Sequence, residues 1–425
     1  MIYFQTGSEN TELSSAEIRQ AIRTAMDKLG DRKKVLAVPP DITRLHSGAG
    51  EITSYLHEYY SENLADILPA LGTHTPMTTD EINRMYEGVP HDLFRVHDWR
   101  NDVVTVGVIP PAKVSEITEG LIDTEWPAQL NKLVCQGGHD LILSIGQVVP
   151  HEVMGMANYN KNLFVGTGGS KGINESHFIG AVYGIENVLG KADNPVRDLL
   201  NYASDNFIKD LPVVYILTVM ALNESGKLVT RGLFIGDTVE VFTRAAELSL
   251  KVNFILLEKP LKKVVVYLDP SEFRTTWLGN KSIYRTRMAM ADQGELIVLA
   301  PGLREFGEDK EIDRLIRKYG YCGTPKTLEA LKHNQELRDN LSAAAHLMHS
   351  SSEDRFSITY CPGHLTQDEI ESVNYHYADL ASTIAKYDPA VLKDGYNRLP
   401  DGEEIYYISN PALGLWADRK RFNLN

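Results

Sequence analysis

The sequence predicts an α/β protein of two domains, each built on a mostly parallel, Rossmann-like sheet. Three observations predict it. Short apolar runs alternate with amphipathic stretches in a β-α-β rhythm. The 425 residues exceed what one ordinary core organises. An apolar fraction of 43% beside 24% charged residues is that of a soluble globular enzyme.

The elements follow in order. Ser14-x-x-Glu17 is a capping box before an amphipathic run ending near Gly30. Val35 to Val38 reads as a short buried strand stopped by Pro39-Pro40, and residues 51–64 as a helix. Ile67 to Leu71 reads as the next strand, stopping at Gly72, and Thr78-x-x-Glu81 caps the following helix. Strands are expected at 93–97 and 103–108, a helix near 126–136, and a strand from Leu141 to Ile145. Later strands are expected at 213–221, 229–235, 263–268, 295–299 and 356–360, with a helix at 238–252. Lys259-Pro260 marks a boundary. Residues 1–258 are expected to form a catalytic and cofactor-binding domain, to which 402–425 returns. Residues 259–401 are expected to form a second domain closing over an active-site cleft.

Composition excludes several classes. A net charge of −14 argues against a general nucleic-acid binder, which needs a basic surface. No apolar run reaches membrane-span length, and the first residues carry neither the basic nor the apolar region of a secretory signal. Cys135, Cys322 and Cys361 lie too far apart in sequence for a CxxC metal site or a disulfide framework, so a cytoplasmic location is expected.

In open α/β sheets ligands bind at the carboxyl ends of strands. Three polar loops fall at such ends: Pro40-Asp41-Ile42-Thr43-Arg44, Gly72-Thr73-His74, and Pro150-His151. Any one of these residues alone has a structural role more often than a catalytic one. Together they offer a guanidinium for a carboxylate and two imidazoles to move protons near neutral pH. Downstream, Gly166, Gly168 and Gly169 form a loop that is either a simple turn or an anion cradle. No GxGxxG follows the first strand, and no HExxH or clustered Cys/His pattern exists.

These residues resemble the lactate racemase family, whose members hold a nickel-pincer nucleotide. That group is nickel pyridinium-3,5-bisthiocarboxylate mononucleotide. Asp41-Ile42-Thr43-Arg44 is similar to the family's Asp-x-Thr-Arg element, and Gly72-Thr73-His74 to its Gly-x-His loop. After Pro150-His151, Lys161 follows by ten residues and His177 by twenty-six, the family's spacing. The resemblance implies that Lys161 anchors a cofactor arm, that His177 ligates nickel, and that His74 and His151 are paired acid/base residues. It implies that Arg44 binds the substrate carboxylate with Asp41 in support. Thr43, Gly72 and the glycines at 166, 168 and 169 would line the cofactor. Lys281 would bind substrate from the second domain. The sequence departs from the family in having Asn158-Tyr159-Asn160 before the anchoring lysine, with no arginine, and Leu45 after the first arginine.

The implied activity is inversion of C2 of a 2-hydroxy carboxylate, lactate or a longer hydroxy or sugar acid, by hydride transfer through a 2-keto acid. Cofactor-biosynthesis enzymes would be partners, and oligomeric state is open. Three rival readings stand beside it: a nicotinamide-dependent 2-hydroxy acid oxidoreductase, a non-catalytic anion-binding module, and a metal-dependent hydrolase or lyase.

Overall fold

The structure, a computed structural model, describes residues 1–421. The chain divides into two compact units. The first comprises Met1–Ile179 and Asn187–Asn253; the second comprises Gly180–Glu186 and the chain from Phe254 onward.

The first unit is built on a six-stranded sheet in the order Ile2–Gly7, Leu228–Gly236, Val213–Leu222, Leu141–Gln147, Val35–Val38, Leu64–Ile67. The last four strands run parallel to one another, and the first two are added antiparallel. Every residue of Val35–Val38 is buried, because a central strand with both faces covered has no side to give to water. One face is covered by two helices. Ser15–Leu29, opened by the Ser14/Glu17 capping box, packs Ile18, Ile22 and Met26 against it. Ala49–Tyr60 adds Ile52, Leu56 and Tyr60.

The second unit has its own six-stranded sheet, in the order His376–Tyr377, Ser357–Pro362, Met290–Ala300, Leu261–Tyr267, Glu404–Ile408, Gly395–Arg398. All neighbours are parallel except the last pair.

Several expectations are corrected. The segment from 402 does not return to the first unit. Glu404–Ile408 lies parallel to Leu261–Tyr267 in the second sheet, and Leu415–Asp418 pairs with Phe254–Leu257. Two apolar strands there find open partner edges in their own unit; residues 422–425 of that expectation fall outside the described residues. The division comes at Asn253/Phe254 rather than 258/259. The helix expected near 126–136 is a strand, Trp126–Asn131, followed by one helical turn and a half, Lys132–Gln136. Buried Trp126, Ala128 and Leu130 alternate with half-buried Pro127 and Gln129, and the strand pairs antiparallel with Val103–Ile109. Residues 93–97 form no strand: His91–Leu93 is a 3-10 turn, and Phe94 makes only an isolated bridge to Ile67. The three cysteines are unlinked. Among the described residues, no helix is long and apolar enough to cross a membrane.

Candidate active site

Three parallel strands deliver the first unit's polar loops. After Val35–Val38 the chain enters the 3-10 turn Ile42–Ser47 with Asp41 at its N-cap position. The Asp41 side chain caps nothing. Instead it accepts hydrogen bonds from the Thr43 hydroxyl at 2.5 Å and from His74 Nδ1 at 2.6 Å. Asp41 is 3% exposed. Burial pushes its carboxyl up, but the His74 ring, the Thr43 hydroxyl and the Arg44 guanidinium together hold it below the ordinary carboxylate range. Arg44, half-buried, makes no hydrogen bond or ion pair within the described residues, so its planar fork is available.

His74 sits in a turn closed by its own amide on the Leu71 carbonyl at 2.9 Å. Gly72 there has φ +58°, a left-handed value that suits glycine, and its amide donates to the Gly166 carbonyl at 2.8 Å. With Nδ1–H committed to Asp41, His74 turns the lone pair of Nε2 outward.

His151 carries its proton on the other nitrogen. It lies in a small ribbon pairing Pro150 with Met156 and itself with Gly155. The backbone amides of Val153 and Met154 donate to its Nδ1 at 3.1 and 3.4 Å, which leaves Nε2 as the N–H. Burial holds this ring well below the ordinary histidine range; Glu152 opposes that, and Lys161, Arg44 and His177 reinforce it. The two imidazoles therefore rest in complementary states, one offering a lone pair and the other a proton.

Lys161 belongs to the short helix Asn160–Phe164, placed by Asn162, whose amide donates to the Val38 carbonyl at 2.9 Å and to the Ser144 hydroxyl at 3.1 Å. Those bonds tie the Lys161 helix to the carboxyl end of Val35–Val38 and to the middle of Leu141–Gln147. Its half-buried amine has no hydrogen-bond or ion partner within the described residues. Burial, with the Arg44 guanidinium and more weakly that of Arg197, brings it down to about 8 against the pull of Glu152 and Asp41. His177, on the Ser170–Tyr183 helix, donates Nδ1–H to the Ile173 carbonyl at 2.8 Å, so its Nε2 lone pair is unprotonated. Burial lowers it to about 4, with Lys161 contributing. This is the tautomer a metal-ligating histidine presents.

The structure thus brings together Asp41, Thr43, Arg44, His74, His151, Lys161 and His177, close enough that their charges act on one another. The glycine loop has packing reasons of its own. A Cβ on Gly168 would sit 1.8 Å from the Phe164 carbonyl oxygen, one on Gly166 2.4 Å from that of Asn162, and one on Gly169 2.4 Å from the Gln129 side chain. These glycines admit neighbouring protein atoms, which accounts for them without an anion. Lys281 opens the helix Lys281–Tyr284 of the second unit, its ammonium 6.0 Å from the Phe273 ring centroid.

Sequence reading missed three supports. Buried His97 donates Nε2–H to the Gly168 carbonyl at 3.0 Å and accepts from Asn131 at 3.0 Å, fixing the glycine loop. Asn158 and Tyr159 both adopt positive φ, 64° and 58°, immediately before the lysine helix. Such conformations cost on the order of 1–3 kcal/mol each. Asn158 is held by its amide on the Ile145 carbonyl at 3.2 Å. Gly146 makes room for it: a Cβ there would lie 2.3 Å from Asn158 Nδ2. Arg197 is the third. Only Asn158, of a type that tolerates left-handed backbone, left a trace in the sequence.

Residues 5–187 match the family described as lactate racemase N-terminal domain, and the matched stretch contains all seven of these side chains. The N-terminal part of the chain is thus similar to the N-terminal domain of lactate racemases. Two solved structures resemble the chain over most of its length. A Thermotoga maritima protein from a structural genomics consortium is 25% identical, with 97% of this chain and 99% of that one covered and a TM-score of 0.80. The lactate racemase apoprotein of Thermoanaerobacterium thermosaccharolyticum is 16% identical, with 97% and 93% covered and a TM-score of 0.69. At that identity the second likeness speaks to the fold alone. Among curated proteins no sequence relative matches.

Proposed function

We propose that this chain is a racemase or epimerase of the lactate racemase kind that inverts C2 of a 2-hydroxy carboxylate. The observation that carries the proposal is two histidines in complementary tautomers, with an arginine and a lysine that make no hydrogen bond or ion pair among the described residues. An anionic hydroxy acid needs one cation for its carboxylate and a group to take or give the hydroxyl proton.

The family's nickel-pincer nucleotide fits these residues. A half-buried amine without a counter-ion, lowered to about 8, suits attachment to an acyl-type arm, the role assigned to Lys161. The Nε2 lone pair of neutral His177 suits a metal ligand. Among the described residues no three His, Cys, Asp or Glu side chains are grouped to hold a metal. His177 would therefore be a lone protein ligand, with the other donors coming from the nucleotide. When bound, the nucleotide supplies a site that takes up a hydride and returns it.

The chain's own residues do the rest. Arg44 grips the carboxylate in a two-pronged hydrogen bond and makes it a pivot. His74 Nε2 takes the hydroxyl proton of one enantiomer, and the buried Asp41 carboxylate, steadied by Thr43, stabilises the imidazolium. The 2-keto acid turns about the held carboxylate and presents its other face. There the neutral His151 Nε2–H donates a hydrogen bond to the substrate oxygen, and the proton held on His74 returns to that oxygen as C2 is reduced.

The test is a screen of single-enantiomer 2-hydroxy acids, from lactate to aldonates, with cofactor-loaded protein and chiral chromatography. The proposal expects interconversion of enantiomers or epimers with no net oxidation. Loaded protein that leaves every substrate's configuration intact, or that instead reduces added nicotinamide cofactor, defeats it.

A further inference from the structure

Arg197 is buried to 1% exposure in the first unit, in the helix Pro195–Phe207, 36 residues beyond Lys161. Its partners are all neutral oxygens. One terminal nitrogen donates to the Met156 carbonyl at 2.5 Å. The other donates to the Asn160 side-chain oxygen at 2.5 Å and the Asn158 carbonyl at 3.3 Å. No carboxylate pairs with it, and its Nε has no partner among the described residues. Burial brings it down to about 10, which leaves it charged at neutral pH. A buried cation without a counter-ion carries a large desolvation cost, and a structural role alone is served as well by an apolar side chain.

Its position is the informative part. Met156 pairs with Pro150 in the ribbon that carries His151, whereas Asn158 and Asn160 flank the positive-φ residue Tyr159, two residues before Lys161. One guanidinium therefore ties the His151 ribbon to the turn that delivers Lys161. The Tyr159 ring is stacked on Phe242 at 5.1 Å, and the guanidinium lies 4.4 Å from the same ring. Asn194, capping the Arg197 helix through the Arg197 amide, also donates to the Met154 carbonyl at 3.2 Å.

We propose that Arg197 is a positioning residue: its carboxylate-free guanidinium holds the strained Asn158–Tyr159 turn and the His151 ribbon in one register, and adds positive charge behind the Lys161 amine. An acid at its side would tie the fork down elsewhere and cancel the field at Lys161. Carbonyl partners leave both intact. The importance of Lys161 and His151 rests on the function proposed above, but the test does not.

The test uses the full-length apoprotein as wild type, Arg197→Met and Arg197→Lys. Thermal unfolding checks that each is folded. Hydrogen exchange reads the amides of residues 156–161. Acetylation with a small N-hydroxysuccinimide ester, followed residue by residue by mass spectrometry across pH, reads the Lys161 amine, with exposed lysines as internal reference. Folded Arg197→Met is expected to exchange these amides at least about tenfold faster. Its Lys161 labelling midpoint should rise by a fraction of a pH unit, roughly a few tenths, as the neighbouring charge disappears. Arg197→Lys keeps the charge but not the fork, so exchange should rise while the midpoint stays near that of wild type. Wild-type exchange and labelling in folded Arg197→Met overturn the proposal. If that variant does not fold, unchanged exchange in Arg197→Lys overturns it. Failure here leaves the racemase reading standing, since no substrate or cofactor enters the measurement.

Discussion

His74 and His151 differ in what holds their Nδ1 atoms, and that difference predicts how each tolerates change. His74 Nδ1 faces a buried carboxylate that welcomes an imidazolium, whereas His151 Nδ1 faces two backbone N–H donors that repel a second proton. Asparagine is the informative replacement at 151, because its side-chain oxygen can still accept from the Val153 and Met154 amides. Replacing either histidine with asparagine should lower kcat by roughly 10²–10⁴-fold, the range for losing a positioned acid or base. Circular dichroism and melting should stay close to wild type. Retained turnover in both variants would defeat the assignment. The same geometry gives a pH dependence. An unfolded His151 protonates near its ordinary value of about 6.5, while the folded one resists until well below it. The unfolded state then binds the extra proton, so this residue's contribution to stability is complete above about pH 6.5 and is lost as pH falls through the depressed folded value. Melting curves of the apoprotein across pH 4–8 should show an acid limb that flattens in His151→Asn; an unchanged limb would contradict the tautomer described. The motif residues were legible because each is a chemically distinctive type placed at a strand end. Arg197 and His97 were not, since nothing near them in sequence announces partners 37 and 71 residues away.

At the scale of elements, the site depends on backbone packing that glycine permits. Gly168→Ala would drive a methyl into the Phe164 carbonyl, at the end of the helix that carries Lys161. Overpacking of this kind costs about 1–3 kcal/mol. The variant should melt several degrees lower, and hydrogen exchange should speed up in residues 160–169 before it does in the central strands. A melting temperature equal to wild type would show that the loop relaxes freely. Element types were legible where a signal was continuous: Val35–Val38 is an uninterrupted apolar run ended by two prolines, and the Ser14 and Thr78 capping boxes open the helices expected of them. They were misread where a short amphipathic stretch fits both periods. Trp126–Asn131 has the period-two alternation of a strand, but with only six residues its tertiary partner at 103–109 decided the outcome. Ile2–Gly7 went unassigned for a similar reason: it is half-exposed, and its strand character comes from pairing with Leu228–Gly236 more than two hundred residues away.

At the scale of the whole molecule, the sequence announced two α/β units and the parallel strands that carry the first unit's polar loops. It misplaced the chain's last strands, because an apolar run does not say which open sheet edge it will join. A chain ending at Gly402 would lose Glu404–Ile408 from beside Leu261–Tyr267 and Leu415–Asp418 from beside Phe254–Leu257. It should leave the first unit protease-resistant while the second is digested, as limited proteolysis with mass mapping would show. A truncated second unit as resistant as the full-length one would contradict the topology.

In the proposed reaction this site inverts C2 by moving a hydride, with the chain's histidines handling only the oxygen-bound proton. Single-enantiomer substrate deuterated at C2, incubated with cofactor-loaded protein in ordinary water, tests that claim most directly, with chiral separation and mass measurement of the product. The predicted result is the opposite configuration with deuterium retained at C2. Inversion accompanied by replacement of the deuterium with solvent hydrogen would mean that a base removes the C2 proton, and the account would be wrong.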